Sequence, residues 1–177
     1  MSNIRTLTIA AVMLALGQVL PFITGQIPQI GEMLSPMHLP VLLCGFTAGP
    51  VWGALVGFIC PLLRSVLFGM PRMFPTAVAM AFELCTYGFV SGFLFGKAKK
   101  QDLTSVYTSL IGAMLLGRVV WGAVQYILLN ATGSAFTFQA FMAGAFINAV
   151  PAIILQLVLI PVLVMALGKS GFIKLRH

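Results

Sequence analysis

Three charged residues interrupt an otherwise apolar stretch, residues 61–96, and they are the first candidates for chemistry. Arg64, Arg72 and Glu83 lie within or beside segments that are hydrophobic enough to cross a membrane. A charged side chain near the centre of a bilayer costs about 2.5 to 3.5 kcal/mol, so such residues usually face the interior of a helix bundle and serve a function. Arg64 and Glu83 are therefore expected to contribute to a functional site.

A second set of polar side chains follows helical spacing further along the chain. Arg118, Trp121 and Gln125 recur at intervals of three and four residues, which places a cation, an aromatic ring and an amide on one face of a helix. Tyr87 follows Glu83 by one turn. The spacing predicts a pocket where the outer halves of these helices converge. The predicted substrate-binding residues are Arg64, Arg72, Glu83, Tyr87, Arg118, Trp121, Gln125 and Asn148.

The charges of these candidates favour an anionic ligand. Arg64 and Arg118 outnumber Glu83 within the apolar segments, and Arg72 is expected at the outer mouth. The planar fork of an arginine side chain matches the geometry of a carboxylate. An alternative explanation is that Glu83 pairs with one arginine only to make a buried charge tolerable, with Trp121 as an interfacial aromatic residue and the amides joining helices.

Composition identifies the class of protein that must hold these side chains. Of the 177 residues 60% are hydrophobic and 7% are charged, which is too little charge to cover a soluble surface. A bilayer core of about 30 Å needs about 20 residues per helix, so the length allows six spans with short connections, or only five. The sequence contains no HExxH, P-loop or GxSxG motif and no cluster spaced for a metal. We therefore expect a membrane protein that is not an enzyme and carries no cofactor or metal.

Hydrophobic segments and their breaks predict an all-α bundle of six transmembrane helices in a single domain, residues 1–177. The connection 23–38 mixes Gly, Pro and polar residues and is interpreted as an outer gating loop. His38, at the end of this loop, is interpreted as a helix-start or loop residue rather than a ligand-binding residue. The predicted helices are 5–22, 38–47, 50–68, 73–95, 103–129 and 143–167.

Basic residues predict the orientation of the bundle. With both termini in the cytoplasm, Arg72 is the only cation in the outer connections, whereas seven cations lie in the cytoplasmic connections and termini. This positive-inside pattern requires an even number of crossings and explains the net charge of +7 without nucleic acid. The cytoplasmic cations would be Arg5, Lys97, Lys99, Lys100, Lys169, Lys174 and Arg176.

Glycines at intervals of four residues predict close contact between helices. One series runs through residues 45–57 and a second through residues 88–96. The absence of a side chain lets another helix backbone approach along such a face. This pattern predicts packing and does not by itself predict a function.

Residues 37–92 resemble the core of the substrate-binding S components of energy-coupling factor (ECF) vitamin transporters, especially the riboflavin-, pantothenate- and folate-type branch. Ala11 and Ala15 are similar to the small-residue motif in the first helix of that family. The resemblance implies a six-helix protein of the prokaryotic cell membrane that binds a vitamin in its outer half, beneath loop 23–38. It also implies that Ala11 and Ala15 dock on a membrane scaffold subunit attached to two ATPase subunits.

The resemblance and the charges together favour an S component for an anionic vitamin, with pantothenate first. Riboflavin, folate, pyridoxine and a thiamine precursor stay open as alternative ligands. A stand-alone secondary transporter is an alternative function, because intramembrane arginines also occur along transport pathways. A third alternative is a structural or assembly protein whose glycines pack helices.

Overall fold

The computed structural model describes residues 3–24, 35–133 and 137–173. All regular structure in these ranges is helical, which confirms the predicted all-α class. A 3-10 turn, Leu20–Thr24, extends the first helix, and π-helical turns occur at Met73–Ala77 and Ala143–Ile147. The α-helices are α1 (Asn3–Val19), α2 (His38–Ala48), α3 (Pro50–Phe68), α4 (Val78–Lys97), α5 (Leu103–Ala131), α6 (Phe138–Met142) and α7 (Val150–Lys169).

Five helical segments are long and apolar enough to cross a membrane, and α2 is a shorter apolar helix. With 11 residues, α2 extends over about 16 Å, roughly half the thickness of a bilayer core. The length and hydropathy of these five segments are those of a multi-pass membrane protein. The five segments are Ile4–Ile23, Pro50–Phe68, Met73–Lys97, Leu103–Ala131 and Val150–Lys169.

Two of the predicted helices are interrupted in the structure. The segment predicted as 73–95 begins with a π-helical turn in which Phe74 has an extended backbone, with φ −121° and ψ 134°. The segment predicted as 143–167 contains a turn at residues 148–149 before α7 begins. Residues 25–34 of the predicted gating loop, 134–136 of the last connection and 174–177 of the basic tail lie outside the described residues.

Local chemistry explains where several helices begin and end. Gly49 separates α2 from α3 with φ +96°, and Pro50 then occupies the first turn of α3, where its missing N–H carries no cost. Gly69 ends α3 in the left-handed conformation, with φ +70°. Asp102 caps α5 by accepting a hydrogen bond of 2.9 Å from the Ser105 backbone N–H.

Glycines let the backbones of α2, α3 and α4 approach one another closely. A Cβ atom built on Gly53 would lie 2.5 Å from the Gly88 carbonyl oxygen, and one built on Gly92 would lie 2.6 Å from the Gly45 carbonyl oxygen. A Cβ on Gly57 would overlap the backbone of Leu84. These contacts confirm the predicted close approach. At two glycines of the same series a Cβ would meet nothing within 4 Å: Gly49 and Gly96.

The two ends of the described chain lie side by side. The Arg5 Nη2 group, near the start of α1, donates a hydrogen bond of 2.6 Å to the Phe172 carbonyl oxygen beyond α7. The Arg5 guanidinium also lies over the Phe172 ring, 5.2 Å from its centroid. Between these ends, α4 packs against α2, α3 and α5, so the chain is organised around α4.

Candidate functional site

A buried ion pair joins the two helices that carry most of the candidate residues. Glu83 of α4 and Arg118 of α5 are 2% and 7% exposed. The Arg118 Nη1 atom lies 3.2 Å from Glu83 Oε1. The distance makes this contact an ion pair, but the two groups are not oriented for a hydrogen bond, and Glu83 Oε1 has no hydrogen-bond partner in the described part of the chain. Two of the predicted residues therefore contact each other inside the bundle.

Gly117 allows α5 to approach the pair closely. A Cβ atom built there would overlap ring carbons of Tyr87 and would lie 3.3 Å from the Glu83 carbonyl oxygen. Tyr87 is fully buried and close enough to Glu83 and Arg118 to interact electrostatically with both. The glycine thus lets three predicted residues, on two helices, share one site.

His38, the first residue of α2, is a fourth member of this site and was not among the predicted residues. It is 2% exposed, and its Nε2 atom lies 3.8 Å from Glu83 Oε1. Its ring meets the Tyr87 ring edge to face, with centroids 5.3 Å apart and an interplanar angle of 66°. We define the Glu83 cluster as His38, Glu83, Tyr87 and Arg118.

Much of the hydrogen-bonding capacity of the Glu83 cluster is not used by the described residues. More than about 90% of buried polar groups in proteins have a partner, and each unsatisfied group costs about 1 to 3 kcal/mol. Such atoms need partners, which a bound ligand or ordered water can supply. The cluster's buried side-chain atoms without a hydrogen-bond partner in the described part of the chain are His38 Nδ1 and Nε2, Glu83 Oε1, Tyr87 Oη, and Arg118 Nε and Nη2.

Arg64 lies in a different environment, between α1 and α3. Its Nη1 group donates a hydrogen bond of 2.5 Å to the Gln18 carbonyl oxygen. Its guanidinium lies over the rings of Phe22 and Phe68, 5.2 and 5.1 Å from their centroids. Gln18 in turn donates a 3.1 Å hydrogen bond to the Cys60 carbonyl oxygen. Arg64 therefore joins α1 to α3, and among the described residues the structure records no ion pair between it and Glu83.

Trp121 lies three residues after Arg118 on α5 and packs beside the segment that precedes α7. Its ring stacks on that of Phe141, with centroids 6.3 Å apart. A Cβ atom built on Gly144 would lie 2.9 Å from the Trp121 ring. Gln125, one turn further on, is partly buried, and its Oε1 atom has no hydrogen-bond partner in the described ranges.

Arg72 and Asn148 are exposed, and both lie next to a π-helical turn. Arg72 precedes the π-helical turn that leads into α4, and its carbonyl oxygen accepts a 2.9 Å hydrogen bond from the Ala77 backbone N–H. Asn148 follows the turn before α7. Gln156, further along the chain on α7, is fully buried.

A cavity of about 530 Å³ lies away from the Glu83 cluster. It opens between the start of α5 and the end of α7, near Leu103 and Lys169. Arg118 lies 15 residues after Leu103, which corresponds to about 22 Å along α5. None of the predicted binding residues lines this cavity.

The predicted docking residues lie on the outer surface of α1. Ala11 and Ala15 are exposed, whereas Ile9, Ala10 and Gly17 are buried against the bundle. A Cβ atom built on Gly17 would overlap the Cys60 sulfur, so this side of α1 is packed tightly on α3. The face with the two alanines is therefore exposed in the structure.

Sequence comparison supports one family. The model of the family described as "ECF transporter, substrate-specific component" matches residues 5–164, which is most of the chain. No significant match was found among curated proteins or among solved structures. The matched region contains every member of the Glu83 cluster and both alanines of α1.

Proposed function

Because the chain belongs to the substrate-specific component family of ECF transporters, we propose that it captures a water-soluble vitamin outside a prokaryotic cell and delivers it inward with partner ATPases. Members of this family are membrane-embedded transport subunits, not enzymes, and act with an ECF module. Pantothenate is our first candidate ligand. Riboflavin, folate, pyridoxine and a thiamine precursor are the alternatives.

The observation that carries the choice of an anion is the orientation of Arg118. Its Nη1 group faces Glu83, whereas Nε and Nη2, on the other edge of the guanidinium, have no hydrogen-bond partner in the described part of the chain. These two N–H groups point side by side and match the two oxygens of a carboxylate. Arg118 is thus held by Glu83 and retains a bidentate edge for the carboxylate of pantothenate.

The contacts of Arg64 remove it from the argument that excess positive charge favours an anionic ligand. Its guanidinium is engaged by the Gln18 carbonyl oxygen and two aromatic rings, so the preference for an anion depends on Arg118. We propose that Arg64 acts indirectly, by fixing the end of α1 from which loop 23–38 departs. The loop is proposed to gate the site, as the sequence indicates.

The remaining predicted residues are proposed to complete the pocket around the Glu83 cluster. Trp121 would supply an aromatic wall next to Arg118, and Gln125 an amide one turn further along α5. Arg72 and Asn148, which are exposed beside the two π-helical turns, would contact the ligand at the rim. In this proposal the Glu83 cluster would provide charged recognition at depth, and Arg72 and Asn148 would add contacts towards the entrance.

A topology of six crossings with both termini in the cytoplasm agrees with the position of the chain ends. The Arg5–Phe172 hydrogen bond joins the start of α1 to the segment after α7, as an even number of crossings requires. The basic residues of the connections and termini would then lie on the cytoplasmic side, with Arg72 outside. The exposed Ala11 and Ala15 would contact a scaffold subunit that carries two ATPases, since small residues let two helices approach closely.

A vitamin screen tests the proposal. The protein is purified in detergent without added vitamins, and its unfolding temperature is measured with each of the five candidate ligands. A ligand at about 100 times its dissociation constant adds about 2.7 kcal/mol of stability. We expect pantothenate to raise the unfolding temperature of the wild type and to have no effect on Arg118→Ala.

The other outcomes of the screen separate the alternatives. Stabilisation by riboflavin or pyridoxine alone would retain the transport role and contradict the anion argument. Stabilisation by none of the five vitamins would contradict the proposed function. Uptake by vesicles that contain this chain but no ATPase would favour a stand-alone transporter.

A further inference from the structure

We propose that His38 contacts the ligand directly, and that the ligand is a small carboxylate that also carries a hydroxyl or amide group. This inference rests on the proposed function, because it assigns a further residue and a substrate class to the same site. Pantothenate, with one carboxylate, two hydroxyl groups and one amide, belongs to this class.

The position of His38 separates it from an ordinary helix-start residue. It is the first residue of α2, yet it is 2% exposed and lies between Glu83 and Tyr87. The 3.8 Å between its Nε2 atom and Glu83 Oε1 is too long for a hydrogen bond. The imidazole contacts both side chains, and neither of its nitrogens forms a hydrogen bond with the described residues.

The described residues do not satisfy either nitrogen of His38. Both Nδ1 and Nε2 are buried, and neither has a hydrogen-bond partner among the residues that the structure describes. A neutral imidazole offers one N–H donor and one acceptor, and an imidazolium offers two donors. The same neighbourhood contains the Tyr87 hydroxyl, which can donate or accept, and Glu83 Oε1, which accepts when ionised.

These capacities define the class of ligand. Arg118 presents two adjacent N–H donors, which suit a carboxylate. His38, Tyr87 and Glu83 together present donors and acceptors, which suit a group that does both, such as a hydroxyl or an amide. A ligand with only a carboxylate would leave the His38 side of the Glu83 cluster unsatisfied, and a neutral ligand would leave the Arg118 edge unsatisfied.

The competing explanation is that His38 only fills space between α2 and α4. Two variants distinguish the explanations. His38→Phe retains an aromatic ring against Tyr87 and removes both nitrogens, whereas His38→Gln places an amide near the position of Nε2. A space-filling role predicts that the phenylalanine variant binds ligand as well as the wild type does.

Titration of purified protein with pantothenate gives the dissociation constants. For a ligand-contacting His38 we expect His38→Phe to bind about 10-fold or more weakly, equivalent to ~1.4 kcal/mol, and His38→Gln to recover part of the loss. Unfolding without ligand checks that each variant is folded. Equal affinity of the wild type and His38→Phe would overturn the inference and leave the proposed function intact.

A second ligand tests which part of the ligand each side of the site binds. Panthenol has a hydroxymethyl group in place of the carboxylate of pantothenate and keeps its hydroxyls and amide. We expect His38→Phe to weaken the binding of panthenol by the same factor as the binding of pantothenate. The affinity for panthenol is measured by competition. A His38 effect confined to pantothenate would contradict the assignment of His38 to the hydroxyl and amide groups. A wild-type protein that binds none of the five vitamins would overturn both this inference and the proposed function.

Discussion

Replacement of Gly88 by alanine should destabilise the bundle, although alanine is the better helix former. A methyl group at Gly88 would overlap the carbonyl oxygen and carbon of Gly53 and would lie 2.9 Å from its Cα atom. All three are backbone atoms, which cannot rotate away as a side chain does. The helices α3 and α4 would have to separate where their backbones are in close contact.

The expected magnitude follows from two opposing terms. Alanine gains about 1 kcal/mol over glycine in the interior of a helix. Overpacking costs about 1 to 3 kcal/mol, and a collision with backbone belongs at the upper end of that range. The net loss for Gly88→Ala is therefore about 2 kcal/mol, and at about 2 to 4 °C per kcal/mol for a chain of this size the unfolding temperature should fall by about 4 to 8 °C.

Gly96→Ala is the matched control, because it makes the same change near the end of the same helix. A Cβ atom at Gly96 meets nothing within 4 Å. Both variants are compared with the wild type by thermal unfolding in one detergent. We expect Gly96→Ala to unfold at or slightly above the wild-type temperature. An unfolding temperature of Gly88→Ala equal to or higher than that of Gly96→Ala would refute the packing argument.

Three further changes test other parts of the structure. Glu83→Ala should destabilise the protein by about 3 to 5 kcal/mol, because it leaves Arg118 buried without its anion. Chemical denaturation in detergent measures the loss of unfolding free energy. The comparison variant is Glu83→Gln, which keeps the shape of the side chain. Gly117→Ala should weaken pantothenate binding at least tenfold by displacing the Tyr87 ring, as a titration would detect; unchanged affinity would contradict the role of this glycine. Ala11→Leu together with Ala15→Leu should abolish co-purification with a scaffold and ATPase module while leaving vitamin affinity unchanged, and loss of vitamin binding would instead indicate that α1 is damaged.

The all-α class and the membrane location follow from the sequence because they depend on composition over long segments. The breaks within the helices were not predicted, although local signals for them exist. Phe74 precedes Pro75, and a residue before proline is biased towards the extended backbone that the structure gives it. Pro151 lies in the first turn of α7, where proline is common, and so indicates a helix start near residue 150.

The Glu83 cluster could be predicted only in part, because it depends on which helices meet. Burial of Glu83 and Arg118 follows from their apolar surroundings, and pairing between them was one of the alternatives. Arg64 has similar surroundings in the sequence, yet a carbonyl oxygen 46 residues away and two aromatic rings decide its role. His38 was interpreted as a helix-start or loop residue, and it does begin α2, but nothing near it in sequence reveals that α2 packs its first turn against α4.

The central claim is that Arg118 recognises the carboxylate of the ligand. A cycle of four titrations tests it, with pantothenate and panthenol as ligands for the wild type and for Arg118→Gln. A charge-assisted pair is worth about 1.5 to 3 kcal/mol, so the wild type should prefer pantothenate by about 10-fold to 150-fold and Arg118→Gln should lose that preference. Equal preference for pantothenate in the two proteins would contradict the claim.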